Sequence, residues 1–433
     1  MINRIRALLL LTLIVVVGVA LFVFFTFTSE NQLKSEILAP KKTEYVVIGT
    51  VLPLTGKYSI EGLNSLNGIQ TMIKWVNERK GGLNVGGKLY KLKLVYFDSK
   101  SSPEETTRLY EELQDKYKVD FFLGPYTSKL TVAALKAVKD KIMMIHGGAS
   151  DMLIRMGYKY AVQVITPASF YMKGVVDLIA EKDPNAKIAL IYDESPFPLS
   201  VAGGVRSQVK YYNIYGKKIE IVYDKAYRSL EDIPKLVEEA MNSGATVLIG
   251  GGHFKDSYYL VETAWKKGWR LKALGILIAP VFPEFYERLG EAANYVMAPT
   301  QWEPSANYNP ILATKIKVEW YGPPIDEFVQ MYKNLTRGEE PTYQAAEAAA
   351  AVLYLVRAIE EANSLDQKAV RDAFNKLDIL TFFGRLRIDP ATGMQVAHKM
   401  LVIQWQGGKK VVVYPKKVAE KDPIYPAGRW WTG

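Results

Sequence analysis

From Tyr45 onward the chain alternates between short apolar runs and longer stretches of helical periodicity. YVVIGTVLPL reads as a strand. LNSLNGIQTMIKWVNERKGG reads as a helix, with Leu63, Leu66, Ile69, Met72, Ile73 and Val76 on one stripe and Gly81-Gly82 to stop it. KLYKLKLVYFD is a further strand, and SPEETTRLYEELQDKY opens on Ser-Pro-Glu-Glu, a helix start whose acids suit the positive end of the dipole. DFFLGP and KIMMIHGG continue the alternation. A second series begins near residue 170: FYMKGVVDLIAEK, SVAGGVRSQVKYYNIYG, IPKLVEEAMNSG and KDSYYLVETAWKKG as helices, KIALIYDE, KIEIVYDKAY, ATVLIGGG and LKALGILIA as strands. Two such series predict two parallel α/β sheets with helices on both faces. Ligands of such sheets bind outside the carboxyl ends of the strands, where GPYTS, HGGAS, YDESPF and GGGHF all fall.

After residue 296 the style changes to helices separated by a Gly-Glu-Glu-Pro turn, then FFGRLRIDPATGMQVAHKMLVIQW, which reads as a hairpin turning at Asp389–Gly393. At the other end, Arg4 and Arg6 precede Ala7–Phe27, an apolar run of 21 residues broken only by Thr12, Gly18 and Thr26. That run exceeds the ~7–15 residues of a signal-peptide core and suffices to span a hydrocarbon layer of about 30 Å. The arginines place residue 30 onward outside the cytoplasm. An uncleaved transmembrane helix within residues 1–28 is expected, with 29–43 as a polar tether.

Composition narrows the function. A chain of 433 residues exceeds one ordinary core, and 49% hydrophobic with 23% charged residues is globular. The net charge of +10 is interspersed rather than blocked, so a nucleic-acid partner is not expected. Cysteine is absent, which removes disulfides, Cys-ligated zinc, a thiol nucleophile and a Cys-based lipid anchor. Only His146, His253 and His398 could supply imidazole ligands, so neither a metal nor another cofactor is expected. There is no Gly-x-Ser-x-Gly, Walker or zinc signature, and the chain is not expected to be an enzyme.

Several motifs in order carry a family resemblance: IGTVLPLTGKYSIEGLNSLNGIQ, NERKGGLNVGGKLYKLKLVYFDSKSSPEETTR, FFLGPYTSKLTVAALKAV, IMMIHGGASDML, KIALIYDESPF, the Pro-Thr-Tyr-Gln-Ala-Ala-Glu-Ala helix and FFGRLRIDPATG. The chain resembles type I periplasmic binding proteins of the branched-chain amino acid and amide-binding group that feeds ABC importers, over about residues 44–415. The resemblance implies two Rossmann-like lobes joined by three crossovers. By analogy residues 44–168 plus 297–384 form the first lobe, 169–296 plus 385–415 the second, and 416–433 a tail.

The resemblance also implies the site. Tyr126, Thr127 and Ser128 match the hydroxyl and backbone donors that hold a ligand carboxylate or amide, and a helix N-terminus suits that role; plain N-capping is the competing reading. Ala149 and Ser150 match the second ligand loop, after Gly147-Gly148, where glycine permits close approach or a positive φ. Phe197 falls near a cleft aromatic of the opposing lobe. Gly252 stands where amino-acid binders carry a tyrosine, with His253 beside it. Asp193 reads as a helix cap rather than a ligand group. Leu277 replaces the acid that pairs a ligand ammonium in that group, and a buried ammonium without a carboxylate is costly. Either Glu61 substitutes or the solute carries no ammonium; the second is favoured, which implies a small amide, carboxylate or aromatic-bearing solute. Tyr343-Gln344 and the alanines after it read as packing that lets a helix lie close against its sheet.

These readings give an extracytoplasmic solute-binding protein of an ABC importer, monomeric, held at the cell membrane by its N-terminal helix and handing a small polar solute to permease subunits. A membrane-anchored ligand sensor of the same fold is the alternative, although 416–433 is too short for a signalling domain.

Overall fold

The computed structural model describes residues 1–2, 43–138 and 140–432. The expected membrane helix and nearly all of the tether lie outside the described residues; among those described, no helix is long and apolar enough to cross a membrane.

The first sheet is built by the first alternating series. Its strands are β1 (Glu44–Leu52), β2 (Leu83–Val85), β3 (Lys88–Asp98), β4 (Phe121–Leu123), β5 (Met143–Ile145) and β6 (Ala161–Gln163). They lie in the order β2-β3-β1-β4-β5-β6, with β1, β4, β5 and β6 parallel. Its helices are α1 (Ser59–Lys74), α2 (Pro103–Asp115), α3 (Ser128–Ala137) and α4 (Asp151–Arg155). The start expected for α2 is realised: Ser102 Oγ accepts from Glu105 N at 3.2 Å, with Pro103 in the first turn.

The second series runs α5 (Lys173–Lys182), β7 (Lys187–Asp193), α6 (Pro196–Ile214), β8 (Glu220–Tyr227), α7 (Ile233–Asn242), β9 (Val247–Gly251), α8 (Phe254–Lys266), β10 (Ala273–Ile276), α9 (Pro283–Leu289) and β11 (Val296–Thr300). Then come α10 (Pro310–Lys315), β12 (Glu319–Trp320), α11 (Ile325–Thr336), α12 (Tyr343–Ala362), α13 (Gln367–Phe374), β13 (Ile379–Thr381), β14 (Gly384–Leu386), β15 (Leu401–Gln406) and β16 (Lys409–Tyr414). The second sheet has the order β16-β15-β11-β10-β9-β7-β8, parallel from β8 to β11 and antiparallel from β11 to β16. The small third sheet is β12-β13-β14.

Three details differ from the sequence reading. Strand β11, which the expected division at 296/297 splits, lies whole in the second sheet, because Leu274 and Gly275 of β10 register with Val296 and Met297. The segment expected as one hairpin is three pieces: β13 and β14 pair around Phe382-Phe383, Asp389–Gly393 closes only a bridge between Ile388 and Gln395, and β15 pairs with β16. The alanine-rich helix α12 packs first against α1 rather than against its sheet; a Cβ on Gly68 would sit 2.0 Å from Ala345 O, so the two backbones touch. The tail docks on the second half through Trp430, whose carbonyl accepts from Leu271 N at 2.8 Å and whose indole donates to Ala292 O at 3.1 Å.

Candidate functional site

Strand β4 ends at Leu123 and the chain turns through Gly124-Pro125-Tyr126-Thr127 into α3. Thr127 has φ of 78°, unfavourable for a β-branched residue. It is held there by Thr127 N donating to Gly147 O at 3.1 Å and by Thr127 Oγ1 capping Leu130 N at 3.2 Å. Backbone strain of this kind persists where surroundings over-determine it, commonly at ligand-facing turns. The neighbouring loop is pressed against this turn. A Cβ on Gly147 would lie 2.6 Å from Tyr126 Cα, and one on Gly148 would lie 2.5 Å from Thr131 Oγ1. Close approach, not a positive φ, is what these two glycines supply.

The opposing wall is the end of β9. Gly250 lies against Ile191 so closely that a Cβ would fall 1.7 Å from its carbonyl oxygen. Gly252 likewise has no room for the tyrosine of the amino-acid binders, since a Cβ would meet Asp256 Oδ2 at 2.1 Å. The ring that enters the cleft is therefore that of His253, with Asp256 Oδ2 accepting from its backbone N–H at 3.0 Å.

The two walls meet. Tyr126 Oη and His253 Nδ1 are 3.2 Å apart, Ser150 Oγ and Ser200 Oγ 2.8 Å, and Glu61 Oε1 accepts from Phe254 N at 3.2 Å. At the rim, Lys57 Nζ lies 3.4 Å from carboxylate oxygens of both Asp193 and Asp256. Asp193 also accepts from Ser195 N at 2.7 Å at the head of α6, an Asx turn close to the expected cap. Between the walls lies a narrow cavity with room for little more than one water, lined by Tyr126, Gly147, Ala149, Ile165, Tyr171, Phe197, His253, Ile278, Tyr343 and Glu347. Its rings touch one another: Tyr171 and Phe197 are edge-on at 5.0 Å, and Phe197 and Tyr126 lie 5.8 and 5.5 Å from His253.

Of the residues expected at the site, Tyr126, Ala149, Phe197 and His253 line this cavity. Thr127, Ser128, Ser150, Gly252 and Glu61 surround it without lining it. Each has a polar atom engaged within the protein: Ser128 Oγ accepts from Ser150 N at 2.9 Å, and Gly252 N donates to Ser257 Oγ at 2.9 Å. Leu277 is fully buried. The sequence reading missed Tyr171, Tyr343 and Glu347. A signal existed for the last: Glu347 is the lone charge between Tyr343 and Val356, one helical turn beyond Tyr343 and so on its face.

Burial sets the electrostatics. It pushes the His253 imidazole down to about 4, so the ring is neutral at physiological pH. It pushes the Glu61 carboxyl up to about 7, against the lowering effect of backbone hydrogen bonds including that from Phe254. It holds Glu347 well above the usual carboxylate range. Glu61 Oε2 and Glu347 Oε2 are buried without hydrogen-bond partners.

A family model described as periplasmic binding protein matches residues 45–410. The chain belongs to that family. It is a type I periplasmic binding protein of the branched-chain amino acid group. It is similar to the Leu/Ile/Val-binding protein homolog 7 of Brucella abortus, 24% identical over 403 residues covering 88% of this chain and 94% of the relative. Among solved structures, the leucine-binding protein of Thermotoga maritima shares its fold with a TM-score of 0.70 at 21% identity, covering 85% of this chain and 97% of that one. A branched-chain amino acid transporter substrate-binding protein of Streptococcus pneumoniae in complex with isoleucine gives 0.71 at 20%, covering 89% and 100%. A solute-binding protein of Rhodopseudomonas palustris in complex with 3,4-dihydroxybenzoic acid gives 0.70 at 16%, covering 89% and 99%. The family and these neighbours are solute-binding proteins, not enzymes.

Proposed function

We propose that this periplasmic binding protein is the extracytoplasmic solute receptor of an ABC importer, closing its two lobes on a small polar solute and presenting the closed form to permease subunits. The observation that carries the reading is the set of contacts from one lobe to the other around a single cavity, led by Glu61 to Phe254 and Tyr126 to His253. Such contacts form only when the lobes are shut, so they can report on occupancy. The rings crowd the gap, and loading a solute therefore requires the lobes to part. Tyr126, Ala149, Phe197 and His253 contact the solute; Thr127, Ser128, Ser150 and Gly252 fix the loops that carry them, and Glu61 bridges the closed lobes. The apolar run Ala7–Phe27 would tether the binding lobes on the outer face of the membrane, beside the permease.

The test is a thermal-shift screen of amino acids, amides, amines, short carboxylates and aromatic acids, followed by calorimetry on whatever raises the melting temperature. At a solute concentration 100 times Kd the expected stabilisation is about 2.7 kcal/mol. If no small solute at millimolar concentration moves the transition, the receptor reading is wrong.

A further inference from the structure

The interlobe cavity holds one charged side chain. Glu347 lies on its wall, is 1% exposed, and has Oε2 buried without a hydrogen-bond partner. It takes part in no ion pair found among the described residues, and no lysine or arginine lines the cavity. Around the acid stand Tyr126, Tyr171, Phe197 and Tyr343, aromatic faces of the kind that hold a cation by its attraction to the ring quadrupole. No cationic side chain stands ready to hold an anion there, and the hydroxyl oxygens beside the cavity are used to fix its loops. Thr127 Oγ1 accepts from Leu130 N, Ser128 Oγ accepts from Ser150 N, and Ser150 Oγ is shared with Ser200 Oγ. The His253 ring is neutral and faces Tyr126.

We infer that the solute captured here is a small amine whose protonated nitrogen pairs with Glu347 inside the aromatic ring set, and that it carries no carboxylate. This rests on the receptor reading above and reverses the expectation drawn from Leu277: the acid missing from the second lobe is supplied from α12 of the first. An unpaired buried carboxylate is unfavourable, so Glu347 holds its proton in the empty protein, and the ammonium supplies the partner that lets it ionise.

Four probes on one carbon skeleton separate the possibilities: isoamylamine, isocaproate, isocaproamide and leucine. They are titrated by calorimetry into the full-length protein purified in mild detergent. The expected result is that the amine binds at least about a hundredfold more tightly than the carboxylate, the amide or the zwitterion, since breaking a buried ion pair costs about 3–5 kcal/mol. Glu347→Gln, nearly isosteric with the protonated acid, should melt no lower than the wild type while losing that hundredfold preference. A merely structural Glu347 would not give that combination. Tighter binding of isocaproate, isocaproamide or leucine than of the amine overturns the charge assignment and leaves solute capture standing, as does a Glu347→Gln protein that folds and keeps its amine affinity. Binding of no small solute of any class overturns solute capture, and this inference with it.

Discussion

Glu61 shows how one buried carboxyl ties chemistry to closure. Its ordinary value is 4.5, and burial beneath the second lobe raises it to about 7. Between those values the folded protein holds a proton that the unfolded chain has released. Stability therefore falls as pH rises from 4.5 towards 7 and is level above that, a difference of roughly 3 kcal/mol at most. Glu61→Gln cannot ionise and lacks this slope. Its melting temperature relative to the wild type should rise between pH 5 and pH 8, then stay constant; a difference that does not vary with pH would contradict the assignment. Because the backbone N–H that Glu61 faces belongs to Phe254, the same gradient acts on lobe closure, which should be more favourable in mild acid.

Among the elements, the pairing of α1 with α12 matters most for the site, since α1 carries Glu61 and α12 carries Tyr343 and Glu347. The alanine run Ala345–Ala351 is fully buried, and Gly68 lets α1 approach the backbone of Ala345. The obstacle to a side chain there is a carbonyl in a helix, which cannot rotate aside. Gly68→Ala should therefore destabilise the protein by about 1–3 kcal/mol despite alanine's better helix propensity, read as a lower denaturant midpoint at unchanged m-value. A neutral or stabilising outcome would mean that the helices can separate freely, and that the position of Glu347 is not fixed by this contact.

For the whole molecule, the proposed function turns on an equilibrium between open and closed lobes. Lys57 in the turn after β1 reaches Asp193 and Asp256 across the gap, with 41% of its side chain exposed. Its partners are only 9% and 1% exposed, so these half-buried pairs contribute more than surface pairs, worth about 1 kcal/mol or less, while still weakening with salt at the lysine's exposed side. Lys57→Ala should shift the solute-free protein towards the open form by about fivefold or more, measured as a change in interlobe distance by fluorescence energy transfer between labelled lobes. The wild type should drift the same way as salt is raised. No change in either experiment would show that the rim pairs play no part in closure.

The alternation of strand and helix, the position of four loops at strand carboxyl ends, and the helix start at Ser102 were legible because each depends on residues near one another in sequence: periodicity, caps and glycines act locally. Tyr126, Phe197 and His253 could be singled out for the same reason, standing at strand ends or the helix start that follows. Three things were decided only in three dimensions. Strand β11 joins the second sheet because its partner strands lie before and after it in the chain. Gly147 and Gly148 are required by the neighbouring loop rather than by their own φ. Glu347 sits in an alanine helix that reads as packing, and only the packing of α12 on α1 brings that lone buried acid to the cavity wall. Local sequence determined which elements form and which ends they present; the free energy of burying a charge depends on what surrounds it, and the tertiary fold alone set those surroundings.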